Sequence, residues 1–181
     1  MIILLFGAPG VGKGTQAEIL ANKLNIAHLS TGDAFRTAIK NETPVGKLAK
    51  SYVDAGDLVP DEVVARIVEE AMDAESFSNG AILDGFPRTR PQAEALQEIL
   101  DRKGLTIRRV VNLDVDDATI MQRLLMRGRK DDTEEVIANR LDVYRQETAP
   151  LLEYYGQGNL LVTVDGIGDI DDVNRRILAA I

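Results

Sequence analysis

The 181-residue chain has no cysteine and a single histidine, His28. The first absence removes disulfides, thiol nucleophiles and sulfur-ligated zinc. The second leaves too little imidazole for a histidine-based metal centre, so any metal must be oxygen-bound. No apolar run approaches the roughly 20 residues needed to cross a bilayer, and the opening MIILLF is too short and lacks the basic start of a secretory signal. Both point to a cytoplasmic protein without membrane association. Basic residues are also in the minority: 21 lysines and arginines face 29 acids for a net charge of −8, the reverse of a protein that coats nucleic acid. No internal repeat, low-complexity tract or long linker divides the sequence. Its length and 45% hydrophobic content suit one domain with small inserts, and nothing in it demands more than a monomer.

Within that minority of cations, 14 arginines outnumber 7 lysines, and the guanidinium fork suits bidentate contact with phosphate oxygens. Small anions therefore remain candidate ligands wherever these cations cluster.

Short apolar runs at 2–6, 26–29, 81–84, 110–115 and 160–164 alternate with helical spacings. Runs so short and continuous predict strands buried on both faces of a parallel sheet of about five strands, with helices covering both faces. Apolar residues at three and four predict helices through Val45, Leu48, Ala49, Tyr52 and Val53, and through Val63, Val64, Ile67, Val68, Ala71 and Met72. The same spacing runs through Ile137, Leu141, Tyr144, Leu151, Leu152 and Tyr155. The alternation breaks between Ser30 and Val59, where two helical patterns follow each other. The expected organisation is a core of 1–29, 60–125 and 133–181, a helical insert at 30–59 and a short lid at 126–132.

FGAPGVGKGTQ, from Phe6 to Gln16, carries four glycines on a strand-to-helix turn. Gly7-x-x-x-x-Gly12-Lys13 is the spacing of a phosphate-binding loop. Glycines let successive N–H groups approach an anion, the helix N-terminus adds its dipole, and the lysine reaches the outer phosphates. Gly14 occupies the place of the usual metal-binding hydroxyl, so a metal here would be held mainly by phosphates and water, and Thr15 is free to bond phosphate. With Gln16 following, GAPGVGKGTQ resembles the phosphate loop of the adenylate kinases and their relatives, the nucleoside monophosphate kinases. LSTGDAFR (29–36), AGDLVPDE (55–62) and DGFPRTRPQ (84–92) match the same family in order.

The resemblance covers essentially the whole chain and implies a P-loop α/β fold, a monophosphate-binding insert and reversible Mg-dependent transfer from ATP to AMP, giving ADP. It places ATP on Gly10, Val11, Gly12, Lys13, Gly14, Thr15, Arg123 and Arg127, with Gly168, in VDGIGDIDDV (164–173), offering main chain to the adenine. It places AMP on Thr31, Arg36, the backbone of Asp57, Leu58 and Val59, the turn Gly85, Phe86, Pro87 and Arg88, and Gln92, with Arg129 and Arg140 where the moving group meets it. Thr31 and Gln92 favour adenine over pyrimidines. Asp84, at the end of a buried strand, would face the water shell of Mg²⁺, with Asp33 as a second candidate. Local roles compete with several of these. Thr89-x-x-Gln92 fits a capping box, Ser30 or Thr31 could cap a helix, Asp33 could be a helix-start acid and Arg36 a surface residue.

Arg123, Arg127, Arg129 and Arg140 crowd into eighteen residues. A triphosphate explains such mutual repulsion; the alternative is a solvated face balanced by Asp131, Asp132, Glu134 and Glu135. By resemblance Asp131 and Asp132 orient the arginines. Longer relatives carry a zinc-bearing lid or a short loop here, whereas only Gly128 separates Arg127 from Arg129, so structural zinc is not expected. The catalytic set is Lys13, Arg88, Arg123, Arg129 and Arg140, acting by charge neutralisation in an in-line transfer. No base is needed, because the acceptor is already an anion. Two rivals remain. A nucleotide switch would need a guanine-reading Asn-Lys-x-Asp, and Asn22-Lys23-Leu24-Asn25 fails at its last residue. A kinase for UMP, CMP or GMP differs only in the acceptor base. His28 is read as a packing residue.

Overall fold

The computed structural model of the chain, which describes residues 1–129 and 132–181, is built on a five-stranded parallel sheet in the order β2-β3-β1-β4-β5. Its strands are β1 (Ile2–Phe6), β2 (Ala27–Ser30), β3 (Ala81–Asp84), β4 (Ile107–Asp114) and β5 (Leu161–Asp165). Alternate residues point to opposite faces of a strand, and the sheet separates two cores accordingly. Ile2, Leu4, Phe6, Ala81 and Leu83 enter one; Ile3, Leu5, Ile82, Val111 and Leu113 enter the other. The three central strands are buried through β1 and β3 and the second half of β4, as their apolar runs predict. The edge strands β2 and β5 are only partly covered, which explains why their sequences admit His28, Thr163 and Asp165.

Helices α1 (Lys13–Leu24), α6 (Asp117–Arg127), α7 (Glu134–Val143) and α9 (Ile170–Ala180) cover one face. The other is covered by α4 (Asp61–Met72), α5 (Arg90–Lys103) and α8 (Pro150–Gly156), joined by α2 (Thr31–Lys40) and α3 (Pro44–Ala55). The two consecutive helices expected in 30–59 are therefore present. Strand β4 begins three residues before its apolar run, because Ile107 and Arg109 extend the ladder on either side of an irregularity at Arg108; Arg109 Nη1 donates to Asn159 O at 3.0 Å. The apolar spacing from Ile137 to Tyr155 is not one helix. A π-turn, Tyr144–Thr148, widens the chain ahead of Pro150, which has no N–H to give and opens α8. Leu48, read with the buried stripe of α3, is 49% exposed. Among the described residues no helix is long and apolar enough to cross a membrane.

This topology brings the carboxyl ends of β1, β2 and β3 together, where the chain leaves the sheet for α1, α2 and the turn before α5. Ligands of open α/β sheets bind in the crevice outside such strand ends.

One close approach fixes the helical pair beside that crevice. Gly46 in α3 packs on the end of α2, where a Cβ would drive into the Ala38 carbonyl and lie 2.6 Å from Ile39 N. Gly46→Ala is expected to destabilise the protein by about 1–3 kcal/mol through this overpacking, lowering the thermal midpoint by several degrees in calorimetry.

Candidate active site

At the first turn, Gly12 (φ 105°) ends the loop and α1 begins at Lys13. The earliest amide in the helical ladder is Gln16 N, which donates to Gly12 O at 3.0 Å. The amides before it are the free donors of a helix start, which suit an anion. Lys13 Nζ donates to the carbonyls of Gly7 (2.7 Å) and Ala8 (3.0 Å). Burial lowers its pKa to about 8; Asp84 opposes the shift, and Arg88 and Arg127 add to it. A Cβ on Gly14 would lie 3.5 Å from Asp84 Oδ2. The missing side chain at 14 therefore leaves the carboxylate facing open space beside the cradle.

The loop forms one wall of a single cavity of about 690 Å³. Lining it are Gly10, Gly12, Lys13, Gly14 and Thr15, then Thr31, Asp33, Arg36, Asp57, Leu58, Val59, Asp84, Gly85, Pro87, Arg88 and Gln92, and finally Arg123, Arg127, Arg129 and Arg140. Among the described residues seven cations thus face four carboxylates, the other two being Glu18 and Asp57, in a protein whose net charge is −8. Such a concentration focuses a positive field into the crevice. Three of the expected contacts do not line the cavity. Val11 packs in the core and offers its carbonyl to Arg123; Phe86 is buried beneath the turn, before a cis bond to Pro87; Gly168 (φ 122°) lies on the loop after β5.

The cations are held by specific partners. Arg88 Nε donates to Gly85 O at 2.8 Å. Its guanidinium is pulled below its ordinary pKa by burial, with Asp84 opposing and Arg140 and Arg36 adding to the effect. Arg36 Nη2 donates to Asp33 Oδ1 at 2.5 Å, and Arg129 Nη2 lies 3.9 Å from the same oxygen. The Asp33 carboxylate is thereby engaged by arginines. Arg123 bridges the phosphate loop and the loop after β5, donating to Val11 O and Gly166 O, both at 3.1 Å. Arg127 donates twice to Asp132 (2.6 and 2.9 Å), and Arg140 Nη1 and Arg129 N donate to it as well (both 3.2 Å). Burial alone would raise the pKa of Asp132, but these donors outweigh it and hold the carboxyl below its ordinary value. Asp131 and Lys130, within the lid, lie outside the described residues.

On the opposite wall, Thr31 Oγ1 donates to Gly85 O at 2.8 Å. Gln92 Oε1 accepts from Arg88 N (2.8 Å) while Nε2 donates to Asp61 Oδ1 (2.8 Å), which leaves one amide hydrogen and one lone pair for a ligand. The local roles weighed for this segment coexist with cavity positions. Ser30 caps α2 by accepting from Asp33 N (3.3 Å), and Thr89 caps α5 by accepting from Gln92 N (3.2 Å). Sequence reasoning missed Asp61, which fixes Gln92, and Asn139, whose Nδ2 ties α7 to Ala55 O (3.0 Å) and Asp57 Oδ1 (2.8 Å). No local pattern marks either, since their partners are distant in sequence. His28 is more than packing: it lines the cavity with Nε2 buried 3.9 Å from Asp84 Oδ2.

A parallel sheet with a glycine-rich loop and lysine at the end of its central strand, opening on one arginine-lined cavity, defines a P-loop protein that binds phosphorylated ligands. The model describing adenylate kinases matches residues 5–160. The chain is 50% identical to an adenylate kinase of Nocardia farcinica, over 100% of this chain and 99% of that protein. It is 50% identical to adenylate kinase 1 of a Nostoc species, over 99% and 97% of the two chains, and 51% to an adenylate kinase of a Mycobacterium species, over 100% and 99%. The chain belongs to the adenylate kinase family.

The Asp132 hub carries a sign for pH. A carboxyl whose folded pKa is depressed stabilises the fold above its unfolded value near 4 and loses that contribution as pH falls through the folded pKa. Asp132→Asn is expected to cost about 1–3 kcal/mol at pH 7, by removing the charge to which Arg127 and Arg140 donate. In denaturant titrations the gap from wild type should narrow as pH drops below about 4.

Proposed function

We infer that this chain is a phosphotransferase that moves the terminal phosphoryl group of Mg·ATP reversibly to AMP, yielding two ADP. The observation that carries this reading is the continuity of the cavity: the phosphate loop and the turn bearing Arg88 share one space, without a wall between them. Donor phosphates fit the amides of Gly10 and of residues 12–15, together with Lys13. The acceptor phosphate fits Arg36 and Arg88, with Thr31, Gln92 and the backbone of Asp57, Leu58 and Val59 around its base. Arg129 and Arg140 reach the space between.

Asp84 is the carboxylate that fits Mg²⁺ through water, because the bare Gly14 beside it leaves room for a hydrated ion. Bound there with the donor, the metal would neutralise phosphate oxygens. Asp33 is the weaker candidate, since Arg36 already occupies its carboxylate. The protein's own part is positioning and charge. Carbonyl partners hold Lys13, Arg88 and Arg123, and phosphate oxygens, as charged acceptors, replace them on favourable terms. Arg123 spans the cradle and the loop before Gly168, which supports a role for it between the donor's phosphates and base. The insert 30–59 and the lid 126–132 close over both nucleotides and exclude water.

A coupled assay with ATP, Mg²⁺ and each of AMP, GMP, CMP and UMP tests the reaction and its acceptor: ADP formation dependent on AMP is expected, and nucleotide hydrolysis without an acceptor would contradict it. Lys13→Met is expected to lower kcat at least about 100-fold. Its thermal midpoint at pH 7 should stay equal to or above wild type, because the substitution removes a buried charge whose folded pKa is depressed. In the free enzyme kcat/KM for ATP should fall above about pH 8, where Lys13 loses its proton; a flat profile to pH 10 would contradict the role of the lysine. Arg88→Ala should reduce kcat/KM for AMP far more than affinity for ATP, measured by equilibrium titration.

A further inference from the structure

In the reading above the donor base is met by main chain around Gly168, so its recognition depends on whatever fixes the loop 165–170. Ile167 N donates to Asp165 Oδ1 at 2.9 Å, which bends the loop upon itself. Arg176 Nη1 donates to the carbonyls of Asp165 (2.9 Å) and Ile167 (2.7 Å) from α9, and Arg123 Nη2 reaches Gly166 O. A further tie comes from beneath. Gln16 Nε2, on the first turn of α1, donates to Ile170 O at 2.9 Å.

Gln16 is itself held. Its Oε1 accepts from Asn174 Nδ2 at 3.1 Å, and Asn174 Oδ1 accepts from Lys23 Nζ at 2.7 Å. The direction of this chain is forced from both ends, because an ammonium can only donate and a carbonyl oxygen can only accept. Both amides therefore have one orientation that satisfies every link. Gln16 and Asn174 are 4% and 0% exposed, so an unmade bond here would be costly and a flipped amide would break two at once. The chain links α1 to the start of α9. Its Gln16 end lies one residue beyond Thr15, on the turn whose amides form the phosphate cradle.

We propose that Gln16, oriented by Asn174, is a positioning residue that fixes the donor-base loop at a set distance from the phosphate cradle. A nucleoside triphosphate spans both places, so its affinity depends on that distance, whereas the acceptor on the far wall does not feel it. The proposal rests on the donor assignment of the Gly168 segment.

Gln16→Met keeps the length of the side chain and removes both amide bonds. The expected result is a rise in KM for ATP of about ten-fold, the worth of one lost hydrogen bond, with kcat and KM for AMP within two-fold of wild type. Amide hydrogen exchange at 166–169 should quicken at the same time. Asn174→Ala leaves the bond to Ile170 but unfixes the amide that makes it, and should give the same pattern at smaller size; it serves as the test if Gln16→Met folds poorly. Unchanged exchange at 166–169 would show that Gln16 does not hold the loop, and would overturn the proposal alone. Faster exchange with an unchanged KM for ATP would show that the loop does not serve the donor, overturning the assignment and the proposal together. An equal rise in both KM values would mark a purely structural residue and would also overturn it.

Discussion

Like-charge repulsion is the constraint around which this molecule is arranged. Among the described residues Lys13 and six arginines line one cavity, and each is stabilised by the protein itself. Two kinds of partner do this. Main-chain carbonyls of the phosphate loop, the Gly85 turn and Gly166 take Lys13, Arg88 and Arg123. The carboxylates of Asp33 and Asp132 take the arginines of the insert and lid side. A neutral carbonyl is a weaker partner for a cation than a phosphate oxygen. The carbonyl-held groups are therefore the ones an anion can recruit at least cost.

The two carboxylates do something different, because they bind elements that the sheet does not fix. Asp132 collects Arg127 from the end of α6, the Arg129 amide and Arg140 from α7, with its side chain fully buried among them. Asp33 collects Arg36 and approaches Arg129. Through these two acids the arginine-rich segment after α6 is joined both to the core and to the helical insert. Asn139 and Arg140 complete the join by donating to Ala55, Asp57 and Val53 at the end of α3. The described residues on either side of the Arg127-Gly128-Arg129 step are thus held by ionic partners.

Much of this was legible in the sequence where the physics is local. Glycine spacing before a lysine specifies a cradle whatever surrounds it, and continuous apolar runs mark strands that lie between two helical layers. The π-turn at Tyr144–Thr148 escaped because the apolar residues on either side keep helical spacing across it. Strand β4 was read short because Arg108 and Arg109 interrupt its apolar run, yet Ile107 and Arg109 still pair with β1 on either side of an irregularity at Arg108. The site divides in the same way. Residues that touch the cavity through a motif, such as Arg88 in its Gly-Phe-Pro-Arg turn, could be named, while Asp61, Asn139 and Asn174 act on partners 31, 84 and 158 residues away. Only tertiary structure reveals them. Gln92 shows that a capping role and a cavity role need not compete, because its backbone N–H serves the cap of α5 while its side chain lines the cavity.

Gly14 and Asp84 connect the electrostatics to the chemistry. A hydroxyl residue at 14 would stand in van der Waals contact with Asp84 Oδ2 and offer it a hydrogen bond; glycine leaves the carboxylate open to the cavity. Asp84 is also the group that opposes the loss of the Lys13 proton against burial and two neighbouring guanidinium groups. One carboxylate thus faces both the lysine and the space suited to a hydrated ion. A cation in that space would weaken the support Asp84 gives to the charged lysine, and an anion beside Lys13 would restore it.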